Sequence, residues 1–328
     1  IVAEGYHQKP GLPHAEAIAL KKAGKQAKGA TLYVNLEPCC HYGRTPPCTD
    51  TIIKAGIKRV VIGTKDPNPL VNGKSIKILR EHNIEVITGV LEKECAWLNR
   101  GYFKYITTHL PYTILKMALS LDGKYALLNG DSKWITSKNA RKYAHSLRKS
   151  VDAILIGKNT AIIDNPRLTV RLVKTRKQPR KIILDTDLNL PTDINVFKGR
   201  ATLVCREDIP ISKERKMLKN GIDIIKVPTI NNKLSIEEML KQLAKQGIVY
   251  LLVEGGNSVW EVFIQQNLWD EMWIFYGNTY IGNGKPVLQS LPPSESISMT
   301  PRVNIAKIKK GKDWLAVIVQ KEDICSPA

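Results

Sequence analysis

Short apolar runs alternate with amphipathic stretches along most of the chain. In the first third, the apolar runs are rich in β-branched residues, as strands are, and the stretches between them have helical spacing. The strands are predicted at 30–36, 59–64 and 84–89, and the helices at 14–23 and 75–83. Pro38 is expected to open a further helix, because the first turn tolerates proline. Strands that alternate with helices predict a three-layer α/β domain with a mostly parallel sheet.

A second domain is predicted after the segment THLPY (108–112), in which a proline separates two patterned regions. It starts with a long strand from Tyr112, followed by a basic amphipathic helix at 137–150. Further strands are predicted at 152–157, 181–185, 201–205, 222–227 and 250–256, helices at 235–246 and 257–267, and a β-rich end at 272–277 and 314–320. We therefore expect two domains, 1–107 and 108–328.

Composition narrows the class of protein. The 328 residues include 50 lysines and arginines against 30 aspartates and glutamates, a formal net charge of +20. The basic residues are spread along the whole chain, which favours a solvated lysine-rich surface over a dedicated nucleic-acid surface. No apolar run approaches the ~20 residues that cross a bilayer, and six cysteines are too few for a disulfide scaffold. We expect a cytoplasmic protein that binds neither membranes nor nucleic acids.

Three residues with metal-ligating side chains lie in two short segments. His14 opens the first predicted helix, and Cys39 and Cys48 flank an insertion in the string PCCHYGRTPPC. One imidazole and two thiolates supply three zinc ligands and leave a fourth position for water, as in catalytic zinc sites. Glu16 is placed to reach that water. This pattern is typical of zinc deaminases, which attack an amidine-like ring carbon while the glutamate moves a proton to the departing ammonia.

Two alternatives remain at this constellation. Cys40 could replace Cys39 as the ligand, although the residue directly after proline fits the deaminase pattern better. A buried histidine with two inert cysteines would bind no metal, but the combined motifs disfavour it. Eight residues separate Cys39 from Cys48, whereas nucleic-acid base deaminases have a compact C-x-x-C.

The order of several long motifs closely resembles one family. These motifs are HAE, LEPCCHYGRTPPCT, DPNPLVNGK, LNRGYFKY, KMALSLDGK and SKWITS. They resemble the bifunctional riboflavin-biosynthesis deaminase–reductases over essentially the whole chain. The resemblance implies a cytidine-deaminase-like domain that deaminates 2,5-diamino-6-ribosylamino-4(3H)-pyrimidinone 5′-phosphate. It also implies a dihydrofolate-reductase-like domain that uses NADPH to reduce the ribosyl group to ribityl, and a homo-oligomer is expected.

The resemblance also implies roles for residues of the first domain. His14, Cys39 and Cys48 match the family's zinc ligands, and Glu16 matches its proton shuttle. The positions that match contacts to the substrate's ribose phosphate are His41, Arg44, Asp66 and Asn68.

In the second domain, cations are expected to converge on the substrate phosphate. Arg148 ends a helix, Arg167 and Arg171 flank LTV, and Gly255-Gly256 lies between a strand and a helix, where it forms either a plain turn or an anion site. By resemblance, the NADP contacts are Ala118, Trp134, Thr160, Asp164, Thr186, Gly256, Asn257, Ser258, Val259, Trp260, Glu261 and Val262. By the same resemblance, the substrate contacts are Ser132, Arg148, Leu168, Arg171 and Glu254.

Three residues of this domain have two interpretations each. Lys116 and Asp164 are candidates for the acid that protonates the opened ribose. Alternatively, Lys116 is a solvated strand residue and Asp164 caps a turn. Trp134 is either a core aromatic residue or packs on the cofactor.

The start of the chain sets the alternatives for function. Family members begin with a helix and a strand that carries a T-x-P-N-P-x-V-G-like segment, which this sequence does not contain. We therefore expect the deaminase-like domain to be incomplete at its start. The alternative to the bifunctional enzyme is a reductase with an inactive deaminase remnant. A nucleic-acid base deaminase is more remote, since only the charge of +20 favours it.

Overall fold

The computed structural model describes residues 1–9, 11–43, 45–291, 303–309 and 311–320. The described residues divide into two compact units, Ile1–Thr108 and a second that begins at His109. Among these residues, none of the helices combines the length and the apolar content needed to span a bilayer.

The first unit is built on a three-stranded parallel sheet. Its strands are β1 (Thr31–Leu36), β2 (Arg59–Thr64) and β3 (Glu85–Thr88), and its helices are α1 (Ala15–Ala23), α2 (Cys48–Lys54), α3 (Lys74–Glu81) and α4 (Glu92–Thr108). The strand order is β1-β2-β3, with parallel pairing throughout. Ile52, Val60, Ile62 and Leu79 are fully buried between the sheet and the helices. The three predicted strands and the two predicted helices are confirmed.

The prediction that Pro38 opens a helix is wrong. Residues 37–40 have no regular structure, and α2 begins later, at Cys48, directly after Pro47. Gly43, Pro46 and Pro47 lie in the intervening segment, and such residues do not sustain a helix interior. The pattern also gives no sign of α4, which packs against β2 and β1 and contains a buried glycine, Gly101, in its interior.

The second unit contains a large mixed sheet with helices. Its strands are β4 (Tyr112–Leu119), β5 (Lys124–Leu127), β6 (Ala153–Gly157), β7 (Arg180–Leu184), β8 (Ala201–Arg206), β9 (Asp223–Val227), β10 (Thr229–Ile230), β11 (Lys233–Leu234), β12 (Tyr250–Gly255), β13 (Glu271–Tyr276), β14 (Gly284–Pro286), β15 (Asn304–Lys309) and β16 (Trp314–Val319). Its helices are α5 (Lys138–Ser150), α6 (Lys158–Ile163), α7 (Ile211–Lys219), α8 (Ile236–Lys245) and α9 (Asn257–Gln265).

The order of the strands in this sheet places the ends of four of them together. Among the described residues the order is β15-β16-β13-β4-β12-β6-β7-β8-β9, in which β13 to β9 pair in parallel and β15 and β16 run antiparallel. Parallel strands share one edge for their carboxyl ends, where ligands bind in open α/β sheets. The ends of β4, β12, β6 and β7 therefore face the same side.

Both faces of the sheet are covered, which explains the near-continuous apolar runs of its strands. On β6, Ala153 and Leu155 belong to one buried cluster, and Ile154 and Ile156 belong to the other. Helices α8 and α9 contribute to the first cluster, and α5 and α7 to the second. Ser137 caps α5 by accepting a hydrogen bond from the Ala140 amide. The strands and helices predicted for this domain are confirmed, whereas α6, α7, β5, β10, β11, β14 and β15 were not predicted.

Candidate active sites

The three candidate metal ligands of the first unit lie together. His14 directly precedes α1, Cys39 lies in the loop after β1, and Cys48 is the first residue of α2. His14 Nδ1 is 3.5 Å from Cys39 Sγ and 3.3 Å from Cys48 Sγ. The three donor atoms lie within 4.8 Å of one another. One nitrogen and two sulfurs at this spacing fit a zinc ion that keeps a further position for water.

The surroundings of these ligands fix their orientation and charge. The Cys48 amide donates to Cys39 Sγ at 3.3 Å. A hydrogen bond from Cys48 and a second from His14 lower the pKa of Cys39 to about 4, although burial opposes them. The same bond to Cys39, together with burial, raises the pKa of Cys48. One of the two thiols thus loses its proton more readily than the other, and a bound cation favours loss of the second proton as well.

Glu16 lies in the first turn of α1, beside the ligands. Its pKa is raised mainly by burial, and its side chain forms a hydrogen bond with Cys48. Thr45 Oγ1 lies 3.5 Å from His14 Nε2, on the side of the ring away from the cysteines. Cys40 turns away, since its thiol donates to the Leu70 carbonyl at 3.6 Å. Cys39 rather than Cys40 is therefore grouped with His14.

Two predicted substrate residues of this unit lie in the loop after β2. Asp66 is buried, and its Oδ1 accepts from the Asn68 amide at 2.8 Å. Asn68 Oδ1 in turn accepts from the Leu70 amide at 3.0 Å. Within the described residues, Nδ1 of His41 is buried without a hydrogen-bond partner, which leaves it available to a ligand. Arg44 lies outside the described residues.

Sequence reasoning missed two residues that hold this loop. Glu37, at the end of β1, accepts from the amides of Asp66 at 3.3 Å and Gly73 at 3.1 Å, and from the Ser75 hydroxyl at 2.7 Å. The Tyr102 hydroxyl lies 3.1 Å from each Asp66 carboxylate oxygen. Burial raises the pKa of Asp66, whereas the Asn68 amide and the Tyr102 hydroxyl lower it. Both missed residues stand in quoted motifs, LEPCC and LNRGYFKY, so the signal was present.

In the second unit, a buried ion pair joins α5 to the end of β12. Arg148 Nε donates to Glu254 Oε1 at 2.6 Å, and Nη2 donates to Oε2, so the pair is bidentate. Burial alone would raise the pKa of Glu254, but the charge and hydrogen bonds of Arg148 lower it. Arg148 also donates to the Thr169 carbonyl at 3.3 Å.

Lys116 and His145 border this pair, and the sequence interpretation omitted His145. Burial lowers the pKa of Lys116. The negative charge of Glu254 raises this pKa, and the positive charge of Arg148 lowers it further. Burial, followed by the charges of Arg148 and Arg171, lowers the pKa of His145 to about 4. The Lys116 ammonium also lies 5.7 Å from the centre of the Phe275 ring. His145 precedes Arg148 by one helical turn on α5, which is the signal that could have identified it.

In the predicted cofactor region, the turn from β12 to α9 packs tightly against the turn from β6 to α6. Gly256 has φ +78°, and a Cβ built on it would lie 3.1 Å from Thr160 Oγ1. A Cβ on Gly255 would lie 3.2 Å from Thr160 Cγ2. The glycines at the end of β12 therefore allow close packing against the Thr160 side chain of α6, at a strand–helix turn of the kind where dinucleotide phosphates bind in open α/β sheets. Ala118 lies near the carboxyl end of β4, Thr186 follows β7, and Asp164 is the C-cap residue of α6.

The stretch Gly256 to Val262 divides into exposed and buried positions. Ser258 is exposed and Val262 is partly buried, whereas Val259, Trp260 and Glu261 are buried. Asn257 donates to Glu261 at 2.7 Å, and its own oxygen accepts from the Leu288 amide at 2.8 Å. The side chains of Val259, Trp260 and Glu261 are buried, so a cofactor would contact these residues through the backbone at the start of α9.

The remaining predicted positions lie in the loops of this unit. Trp134 is 66% exposed, and its ring stacks on the Arg141 guanidinium at 4.0 Å. Its interpretation as a core residue is therefore wrong, because the indole is covered by a cation instead of apolar side chains. Ser132 is partly buried, Leu168 is buried with φ +49°, and the Arg171 side chain is exposed.

Comparison with known families matches both units. The description "RibD C-terminal domain" matches residues 111–315, and "Cytidine and deoxycytidylate deaminase zinc-binding region" matches residues 1–64. The riboflavin biosynthesis protein RibD of Aquifex aeolicus is 47% identical over 287 residues, which are 87% of this chain and 79% of that protein. These matches confirm the predicted cytidine-deaminase-like and dihydrofolate-reductase-like domains.

Solved structures agree with this assignment. RibD of Acinetobacter baumannii is 34% identical, with a TM-score of 0.87 over 98% of this chain and 89% of that one. A Thermotoga maritima protein described as a diaminohydroxyphosphoribosylaminopyrimidine deaminase/5-amino-6-(5-phosphoribosylamino)uracil reductase is 37% identical, with a TM-score of 0.84 over 97% and 88% of the two chains. The chain, which carries both a zinc deaminase domain and a reductase domain, therefore belongs to the RibD family of bifunctional deaminase–reductases of riboflavin biosynthesis.

Proposed function

We propose that residues 1–107 deaminate 2,5-diamino-6-ribosylamino-4(3H)-pyrimidinone 5′-phosphate and that residues 108–328 reduce the deaminated product with NADPH. The observation that carries the first step is the grouping of His14, Cys39 and Cys48 with Glu16 beside them. A bound zinc ion supplies Lewis acidity for hydrolytic attack on the ring carbon. These three side chains hold the ion through one nitrogen and two sulfurs.

Glu16 moves the proton in the deamination step. Its carboxylate takes a proton from the attacking water and returns it to the departing amino group, so that ammonia leaves. Burial raises the pKa of Glu16, which favours this role because a carboxylate of higher pKa is a stronger base. Asp66, Asn68, the free Nδ1 of His41 and Arg44 bind the ribose phosphate.

In the reduction step, Arg148 and Arg171 bind the substrate phosphate, and Glu254 orients Arg148 through its bidentate pair. NADPH supplies the hydride when bound, and the strand–helix turn at Gly256 binds its phosphate. Lys116 is the proton donor for the ring-opened ribose, because its lowered pKa makes the ammonium a better acid. Asp164 is the second candidate for that donor.

The Gly256 to Val262 stretch binds the cofactor together with Ala118, Trp134, Thr160, Asp164 and Thr186, and the substrate also contacts Ser132 and Leu168. The proposal includes a homo-oligomer that acts in the cytoplasm without a nucleic-acid partner. Size-exclusion chromatography with light scattering tests the oligomer. Retention on DNA or RNA at physiological salt, with a steep salt dependence, would contradict the proposed absence of a nucleic-acid partner.

The decisive experiment supplies the zinc-loaded full chain with the diaminopyrimidinone phosphate, with and without NADPH. We expect ammonia release in both cases, and NADPH consumption only after deamination. The Glu16→Gln variant should release ammonia roughly 10²- to 10⁴-fold more slowly with unchanged zinc content. Glu85→Gln, which changes an exposed glutamate of the same unit, is the matched control. NADPH consumption on deaminated substrate without any ammonia release would instead identify a reductase alone.

A further inference from the structure

The segment Leu168–Arg171 is held mainly by side chains. The Thr169 carbonyl accepts from Arg148 at 3.3 Å, and Gln178 accepts from the Val170 amide at 2.8 Å and donates to the Val170 carbonyl at 3.0 Å. The Arg171 amide donates to His145 Nδ1 at 3.1 Å. Backbone groups outside regular structure need such partners, and the loss of one of them weakens the hold on the segment.

His145 links this segment to the helix that carries the buried ion pair. It is buried in α5, one turn before Arg148, and its hydrogen bond spans 26 residues of sequence. The side chain of Arg171 is exposed, and no described residue forms an ion pair with it. The His145 imidazole therefore fixes the backbone of Arg171, whose guanidinium is free. The neighbouring guanidinium of Arg148 is already fixed by Glu254.

We propose that His145 is a positioning residue, which sets the affinity of the reductase for its phosphorylated substrate by holding the Arg171 backbone. The inference rests on the proposed reductase function and adds a residue to it. Only a neutral imidazole can accept at Nδ1, and the burial and neighbouring cations that lower the pKa of His145 keep it neutral.

The test measures reduction of 5-amino-6-(5-phosphoribosylamino)uracil by the full chain at saturating NADPH. In His145→Ala, we expect KM for this substrate to rise about 3- to 10-fold, the range for one lost hydrogen bond, while kcat changes less than about twofold. His145→Asn places an oxygen near the position of Nδ1 and should restore KM. His145→Gln places its oxygen farther out and should not. Ser146→Ala, an exposed position on the same helix, is the control.

A double-mutant cycle identifies the route of the effect. If His145 acts through Arg171, His145→Ala adds no further rise in KM to an Arg171→Ala variant. Inhibition by inorganic phosphate should weaken in His145→Ala by a factor similar to the rise in KM. An unchanged KM in His145→Ala, or additive effects in the cycle, would overturn the proposal.

Two further outcomes are distinguishable. If His145→Ala does not fold, the comparison of the Asn and Gln variants decides, and equal KM values in those two variants contradict the proposal. If the wild-type chain fails to oxidise NADPH with this substrate, the proposed function has failed instead of the role of His145.

Discussion

The guanidinium of Arg148 and the carboxylate of Glu254 form a bidentate pair that is largely buried, with side-chain exposures of 15% and 7%. A buried charge that loses its partner is strongly destabilising. We expect Arg148→Met to lower the free energy of unfolding of the second unit by about 3–5 kcal/mol. The double variant Arg148→Met/Glu254→Gln should recover part of that loss, as measured by urea denaturation. Equal losses in both variants would show that the unpaired carboxylate is not the cause.

The pH dependence of the same variant follows from the pKa of Glu254. In the wild type the folded-state pKa is lowered, so the pair stabilises above the unfolded pKa and the gain is lost on acidification. Without Arg148, burial, which is the largest single cause, raises that pKa against the remaining charge of Lys116, so stability falls as pH rises through it. The deficit of Arg148→Met relative to wild type should therefore be larger at pH 8 than at pH 5.

Glu37 accepts three hydrogen bonds in the first unit, and Glu37→Ala should leave those donors unpaired. At about 1–3 kcal/mol for each unsatisfied buried group, we expect a loss of at least about 3 kcal/mol in the free energy of unfolding of that unit. Glu85→Gln removes an exposed pair with Arg59 and should cost less than about 1 kcal/mol. Similar losses in the two variants would mean that the network around Glu37 contributes little.

Tyr102→Phe removes a donor from the Asp66 carboxylate. Because that hydroxyl lowers the pKa of Asp66, its removal should raise the pKa further. The acidic limb of the pH profile of deaminase kcat/KM should then move to higher pH. Tyr33→Phe, at an exposed position of β1, should leave the profile in place. If the pH profile of Tyr102→Phe is unchanged, the protonation of Asp66 does not control deaminase activity, and the proposed role of Asp66 in substrate binding is contradicted.

Gly256→Ala should weaken cofactor binding. A Cβ at φ +78° is strained by about 1–2 kcal/mol and would also lie 3.1 Å from Thr160 Oγ1. We expect KM for NADPH to rise about tenfold or more, with ammonia release unaffected. Gly199→Ala has comparable strain at φ +92° but nothing within 4 Å of its Cβ. If both variants changed KM for NADPH equally, general loss of stability would be the explanation.

Metal removal should separate the two activities. Chelation, or Cys48→Ser, is expected to abolish zinc binding and ammonia release while NADPH oxidation with deaminated substrate continues. Cys40→Ser should keep a full zinc content, because its thiol bonds to the Leu70 carbonyl instead of joining the ligands. Zinc analysis of the purified variants checks both expectations, and zinc loss in Cys40→Ser would contradict the ligand assignment.

The residues of the candidate zinc centre could be proposed from the sequence because their chemistry is local to two motifs. His14, Cys39 and Cys48 have few uses in this combination, and the structure brings them together. The loop geometry before Cys48 could not be predicted, since proline is compatible both with a helix start and with an extended segment. The buried strands could be recognised as short apolar runs, because successive residues enter two different apolar clusters and both faces of the sheet are covered.

Residues that act through other residues were harder to predict. Glu37, Tyr102 and His145 contact partners 36, 36 and 26 residues away, respectively, and no local pattern encodes such pairs. The pairing of Arg148 with Glu254, 106 residues apart, likewise depends on the order of the strands. Trp134 could not be assigned for a different reason. The identity of an aromatic residue does not reveal whether its ring will be buried in the protein or exposed to solvent.

Strand β12 lies between β4 and β6 although the chain produces it after β9. Until it arrives, β4 and β6 each lack a neighbour and expose an unpaired strand edge. A nascent chain that stops before Tyr250 would therefore hold Arg148 without Glu254 and could not close its central sheet. The arrangement of Arg148 and Glu254 should therefore form late during synthesis, and chains truncated before β12 should depend on chaperones or aggregate.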